Sequence, residues 1–161
     1  MLDYTLVTTQ ATYRPLAPTD VSAFVALVTR RYREERVPEP LPPGHVLALL
    51  QDLDRYKERG ALLVFEVEES LAGSAIMRPR WCTVLGGPEL VIEELYVAPE
   101  HRGRDLASDF IALLKKVTPQ DCRRITWETP RGEKKNMDAC RRLGFKDTGR
   151  VIFSVETGED R

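Results

Sequence analysis

Val91-Ile92-Glu93-Glu94-Leu95-Tyr96-Val97-Ala98-Pro99-Glu100-His101-Arg102-Gly103-Arg104-Asp105-Leu106-Ala107 is the stretch whose reading decides the fold. Its first half is rich in β-branched and aromatic residues and predicts a strand over 90–97. Pro99 ends the extended run, and a basic loop with Arg102, Gly103 and Arg104 follows. Beyond it, Leu106, Phe110, Leu113, Leu114 and Val117 recur at the spacing of one helical face. A helix that begins just after a Gly-containing loop presents unpaired backbone N–H groups and the positive end of its dipole. Such a terminus attracts phosphate oxygens. Arg102 and Arg104 add cations at the same place, although a solvated basic turn between strand and helix has the same composition.

Working outward, residues 4–14 mix Val, Thr and Tyr and read as one strand. Thr19 is positioned to cap a helix whose face is Val21, Phe24, Val25, Val28 and Tyr32. The prolines of 37–44 break the chain. A second helix carries Val46, Leu49, Leu50 and Leu53 on one face, with Gly60 as its stop. Strands over 61–68 and 72–80 form a hairpin with a turn near Glu69 and Ser70, and Gly86-Gly87-Pro88 separates them from strand 90–97. After the central helix come a strand over 124–128, a short helix over 134–142 and a last strand over 151–155. The order β-α-α-β-β-β-α-β-α-β predicts a single domain over 1–161. Its class is α/β (α+β), a mixed, mostly antiparallel sheet with helices on both faces.

With 161 residues the chain can bury a core without disulfide or metal staples. The 24 Lys and Arg residues against 25 Asp and Glu argue against a nucleic-acid partner, so any cationic site is local. Cys82, Cys122 and Cys140 are dispersed and the only histidines are His45 and His101, which predicts no metal site and no disulfide framework. No apolar run approaches the roughly 20 residues that span a bilayer, and the first residues do not resemble a signal peptide. The expectation is a cytoplasmic protein with no membrane partner.

The central segment is similar to the coenzyme A-binding motif of the GNAT N-acetyltransferase superfamily, a strand ending in a Val-x-Pro turn followed by Arg/Gln-x-x-Gly-x-Gly/Ala. Val97, Pro99, Arg102 and Ala107 stand in register with it. Trp127-Glu128-Thr129 and Leu143-Gly144-Phe145 extend the likeness into the later strand and helix, and the element order carries it over nearly the whole chain. The resemblance implies the GNAT fold and acetyl-CoA as co-substrate. It implies that the backbone amides of Arg102, Gly103, Arg104, Asp105, Leu106 and Ala107 hold the pyrophosphate. Acetyl-CoA would lie along the strand at Leu95, Tyr96 and Val97, its thioester carbonyl polarised by a backbone N–H near Tyr96 or Val97. A primary amine, on a small molecule or a protein, would attack directly in a ternary complex without a metal. The loop at 37–44 and the second helix would border the acceptor. Family members pair through terminal strands, which leaves a homodimer open.

Two departures stand out. Asp105 occupies the place of the motif's middle Gly, where a carboxylate repels a pyrophosphate if it points inward. Counting back from Gly144, Cys140 falls at the family's usual Tyr, the acid for the departing thiolate, and Glu133 at its usual Asn. A thiol with a pKa of about 8.5 can donate that proton, and Cys140 beside Met137 equally reads as a small buried hydrophobe. Glu93 and Glu94 are the candidate bases, because an amine arrives as an ammonium ion and must lose a proton. Strict alternation sets Glu93 on the face of Val91 and Leu95, and Glu94 on that of Ile92 and Tyr96. Either carboxylate also reads as one half of an ion pair. Besides an N-acetyltransferase, the chain fits a domain that binds coenzyme A without turnover, or an interaction domain without coenzyme.

Overall fold

The computed structural model describes residues 5–35, 41–129 and 134–155. Six strands form one sheet in sequence order: β1 (Leu6–Val7), β2 (Thr12–Pro15), β3 (Ala61–Val67), β4 (Ser70–Cys82), β5 (Gly87–Val97) and β6 (Arg124–Trp127). Each neighbouring pair is antiparallel except β5 and β6, which run parallel. A parallel pair needs a crossover, and α3 (Leu106–Val117) supplies it.

The two faces of the sheet bury different helices. On one, Phe24 and Val28 of α1 (Val21–Glu35) and Val46 and Leu53 of α2 (Pro43–Arg55) pack on Leu62, Val64 and Ile76. On the other, Leu106, Phe110, Ile111 and Leu114 of α3 pack on Tyr13, Leu63, Phe65, Met77 and Ile92. The rings of Tyr13, Phe65 and Phe110 meet at centroid distances of 4.8 to 5.6 Å. Burying each large side chain stabilises the fold by about 1.5–3 kcal/mol. The Tyr13 hydroxyl donates to the Leu106 carbonyl at 2.9 Å and so fixes the start of α3 to β2. α4 (Lys134–Arg142) follows β6, and Phe145 just after it meets Trp127 edge-on at 5.9 Å.

The expected strand over 4–14 is a tight hairpin instead. Thr8 turns the chain: its amide and hydroxyl donate to the Ala11 carbonyl at 2.9 and 3.2 Å, and its hydroxyl accepts the Ala11 N–H at 3.1 Å. Thr19 does not cap the first helix; Asp20 accepts the Ala17 N–H at 2.8 Å and binds Arg14 at 2.6 Å. The second helix ends at Arg55, before Gly60. Gly60 is extended (φ 163°) and sits where a Cβ would lie 2.5 Å from the Met77 carbonyl, so close strand approach explains it. The β3–β4 turn uses Glu68 and Glu69 at φ 50° and 63°, a left-handed pair suited to the twist of a two-residue hairpin. The expected strand over 151–155 does not form. Val151, Ile152, Phe153 and Val155 are 55% to 90% exposed, and β6 offers only four residues of ladder at its outer edge.

Candidate functional site

The site grows from the place where β5 and β6 part. The two strands pair from Glu89 with Arg124 to Ile92 with Trp127, and the Glu128 N–H donates to the Ile92 carbonyl at 3.0 Å. Residues 93–97 of β5 then continue with β4 alone. Glu89 holds the strands together below this opening. Its carboxylate is fully buried and accepts Arg80 Nε at 2.7 Å, Arg124 Nε at 2.8 Å, Arg124 Nη2 at 2.6 Å and Thr126 Oγ1 at 3.3 Å. Burial raises the Glu89 pKa, but the hydrogen bonds and charges of both arginines outweigh it and hold the carboxyl below its ordinary range. Arg80 also donates to Glu128 at 3.2 Å, at the mouth of the opening.

A β-bulge sits at that mouth. Ile76 pairs with Glu94 while Met77 pairs with Ile92, which leaves Glu93 as the extra residue. Strict alternation therefore fails in β5. Ile92 joins Leu95 and Val97 against the α3 face rather than sharing a face with Glu94. Glu94 instead forms an ion pair with Arg31 of α1. Glu93 accepts Arg78 Nε at 2.9 Å, and Arg78 also lies 3.9 Å from Asp52 of α2. The bulge thus brings both carboxylates to the α1–α2 side, where opposite faces were expected.

The same pairing fixes the backbone. The Ala98 N–H donates to the Ala72 carbonyl at 2.9 Å, so by antiparallel alternation Ala98, Tyr96 and Glu94 aim their amides at β4. Leu95 and Val97 aim theirs into the opening. Of the two amides expected to polarise a carbonyl, that of Tyr96 points the wrong way. The Tyr96 side chain also turns toward α1, its hydroxyl donating to Glu34 at 3.1 Å. Burial first, and then Glu34, push this phenol up to about 12.

The loop after β5 adopts left-handed backbone at Gly103 (φ 77°) and at Asp105 (φ 56°). This is the physical demand behind a Gly at position 105, and Asp meets it better than most residues do. The Asp105 side chain makes no capping hydrogen bond and is exposed, so no described side chain caps the first turn of α3. The amides of Leu106 and Ala107 have no carbonyl of their own helix to bind and remain open to an anion. Leu106 itself is buried in the α3 core and anchors that turn. Arg104 is exposed beside it. Arg102 is engaged elsewhere: Nε donates to the Val97 carbonyl at 2.9 Å and Nη2 to Glu34 at 2.6 Å.

Cys140 is half-buried on α4, and burial raises its thiol above the ordinary value. Glu133 lies outside the described residues, as does most of the loop at 37–44. Among the described residues no group of three or more His, Cys, Asp or Glu side chains is arranged to hold a metal, and no helix is long and apolar enough to cross a membrane. Sequence reasoning missed Arg31, Glu34 and Glu89, which are tied to Glu94, Arg102 and Arg124 at separations of 63, 68 and 35 positions. Nothing local marks them.

Comparison with known proteins agrees with this geometry. The model of the acetyltransferase (GNAT) family matches residues 24–145. A possible acetyltransferase from Clostridium difficile 630 superposes with a TM-score of 0.80 at 12% identity, over 93% of this chain and 99% of that one. AAC(6')-Iy in complex with the bisubstrate analog CoA-S-monomethyl-acetylneamine gives 0.76 at 19% identity, over 93% and 100%. A ribosomal-protein-alanine N-acetyltransferase from Brucella melitensis biovar Abortus 2308 gives 0.72 at 17%, over 92% and 99%. No curated protein matches in a sequence comparison. By the family match over most of its length, the chain belongs to the acetyltransferase (GNAT) family.

Proposed function

We propose that the protein transfers an acetyl group from acetyl-CoA to a primary amine, with both substrates held together. One observation carries the reading: a single strand leads from two carboxylates on a bulge to an uncapped helix start within about a dozen residues. In this reading the amides of residues 103–107, with Arg104, hold the pyrophosphate of the coenzyme. Acetyl-CoA supplies the acetyl group as a thioester, whose carbonyl the Leu95 or Val97 amide polarises. Glu94, steadied by Arg31, takes the proton from the incoming ammonium directly or through water. Glu93 helps to seat the cation. The thiol of Cys140, kept protonated by burial at neutral pH, is the group to test as proton donor to the departing thiolate. The acceptor borders α1 and α2. AAC(6')-Iy, an aminoglycoside N-acetyltransferase, and the ribosomal-protein-alanine N-acetyltransferase share this fold and name two acceptor classes to test, an aminoglycoside and a protein amine.

The test is a thiol-release assay with acetyl-CoA against a panel of polyamines, aminoglycosides, amino acids and amino-terminal peptides. Glu94→Gln is expected to lower kcat about 100-fold while the Kd for acetyl-CoA stays within about twofold, because the carboxylate lies outside the phosphate loop. Unchanged kcat removes Glu94 from the chemistry. A second reading, coenzyme binding without turnover, draws support from the arginine partners that both carboxylates already have. Coenzyme binding with no thiol release from any amine would favour it.

A further inference from the structure

Arg102 is one of two loop cations that the sequence singles out for the phosphate, yet its exposed side chain is engaged by groups of the protein itself. Its guanidinium lies over the Tyr96 ring, 5.7 Å from the centroid, while it donates to the Val97 carbonyl and to Glu34. Glu34 is the meeting point. One of its oxygens accepts Arg102 at 2.6 Å, and the other accepts the Tyr96 hydroxyl at 3.1 Å and lies 3.5 Å from Arg30. Arg30 continues the chain of contacts to Glu100, in the turn after β5, at 2.8 Å. A single turn of α1 therefore grips the end of β5 and the first half of the loop that follows. The neighbouring residue of that turn, Arg31, grips Glu94.

We propose that Glu34 is a positioning residue, which sets the coenzyme loop relative to α1 through Arg102 and Tyr96, and that Arg102 acts through Glu34 rather than as a phosphate ligand. The phosphate is then left to the amides of residues 103–107 and to Arg104. One turn of α1 holds both the candidate base and the coenzyme loop, so the geometry of acceptor and donor is registered on the same rigid element. This inference rests on the coenzyme-binding reading above.

The test is a double-mutant cycle in the full chain with Glu34→Gln, Arg102→Ala and the double variant. The Kd for coenzyme A is measured by calorimetry, and amide hydrogen exchange over residues 97–105 is measured without ligand. The expected result is a loss of about fivefold in affinity for each single variant, no further loss in the double variant, and faster exchange over 97–105 in all three. Arg104→Ala, by contrast, adds fully to Glu34→Gln and flattens the salt dependence of binding. The inference is overturned if Arg102→Ala weakens coenzyme binding while Glu34→Gln does not, or if the two losses add, because Arg102 would then touch the ligand directly. If the natural protein binds no coenzyme A, the functional reading falls. The exchange measurement alone then decides, and unchanged exchange in Glu34→Gln overturns the inference.

Discussion

Replacing Glu89 by Gln removes one charge and little volume from the base of the opening between β5 and β6. The residue is 1% exposed and its two oxygens serve two guanidinium groups and the Thr126 hydroxyl. Without the carboxylate, Arg80 and Arg124 face each other across a neutral amide that has only one acceptor oxygen. Breaking a buried ion pair by removing one partner costs about 3–5 kcal/mol. The arginine side chains are 46% and 30% exposed and recover some hydration, which places this case near the low end, about 3 kcal/mol. That is a rise of roughly 150-fold in the unfolded fraction, or a Tm lowered by about 6–12 °C for a chain of this size. Urea unfolding at pH 7 measures it. The Glu89 pKa is depressed in the folded state, so its contribution is complete above the unfolded carboxyl pKa of about 4.3 and fades as pH falls through the folded value. The gap between natural protein and variant should therefore start to narrow as pH falls below about 4.3 and vanish only beneath the depressed folded value. A loss under about 1 kcal/mol at pH 7 would refute the claim that this cluster fastens the two strands.

Asp105→Gly should relieve the left-handed backbone and stabilise the fold by about 0.5–1 kcal/mol, and removing a charge near a pyrophosphate should tighten coenzyme binding about fivefold; thermal melts and calorimetry read the two effects. Gly73→Ala should destabilise by about 2–3 kcal/mol in urea, because a Cβ there meets the Tyr96 carbonyl at 2.4 Å and Phe65 at 2.9 Å. Tyr13 has its pKa pushed up to about 12, by burial first and then by Asp109. The folded state thus keeps a proton that the unfolded chain loses near pH 10, and stability should fall by about 2–3 kcal/mol between pH 10 and 12. Tyr13→Phe abolishes that share of the fall, which urea midpoints measured across the range will show.

The element types and the loop between β5 and α3 were legible because their signals are local. Helical periodicity marks α1, α2 and α3, and a Gly with two flanking arginines marks the loop. Where local signals were weak, the reading slipped. Thr8 turns the amino-terminal hairpin without Gly or Pro, so a turn was invisible. The bulge at Glu93 depends on how β4 and β5 register, which no pattern within 91–97 reveals, and it moves both carboxylates to one side. Arg102 carries the right charge in the right place, but its engagement by Glu34 comes from a helix 68 positions earlier. The β-branched and aromatic residues of 151–155 have strand composition, and composition alone supplies no partner.

Calorimetric titration of the natural protein with acetyl-CoA tests the central claim most directly. One site per chain with a micromolar Kd, weakened by Arg104→Ala and by rising salt, is the predicted result. No heat at millimolar acetyl-CoA, with Asp105→Gly equally silent, would contradict the account, since neither the loop nor the residue that departs from the motif would then be a coenzyme site.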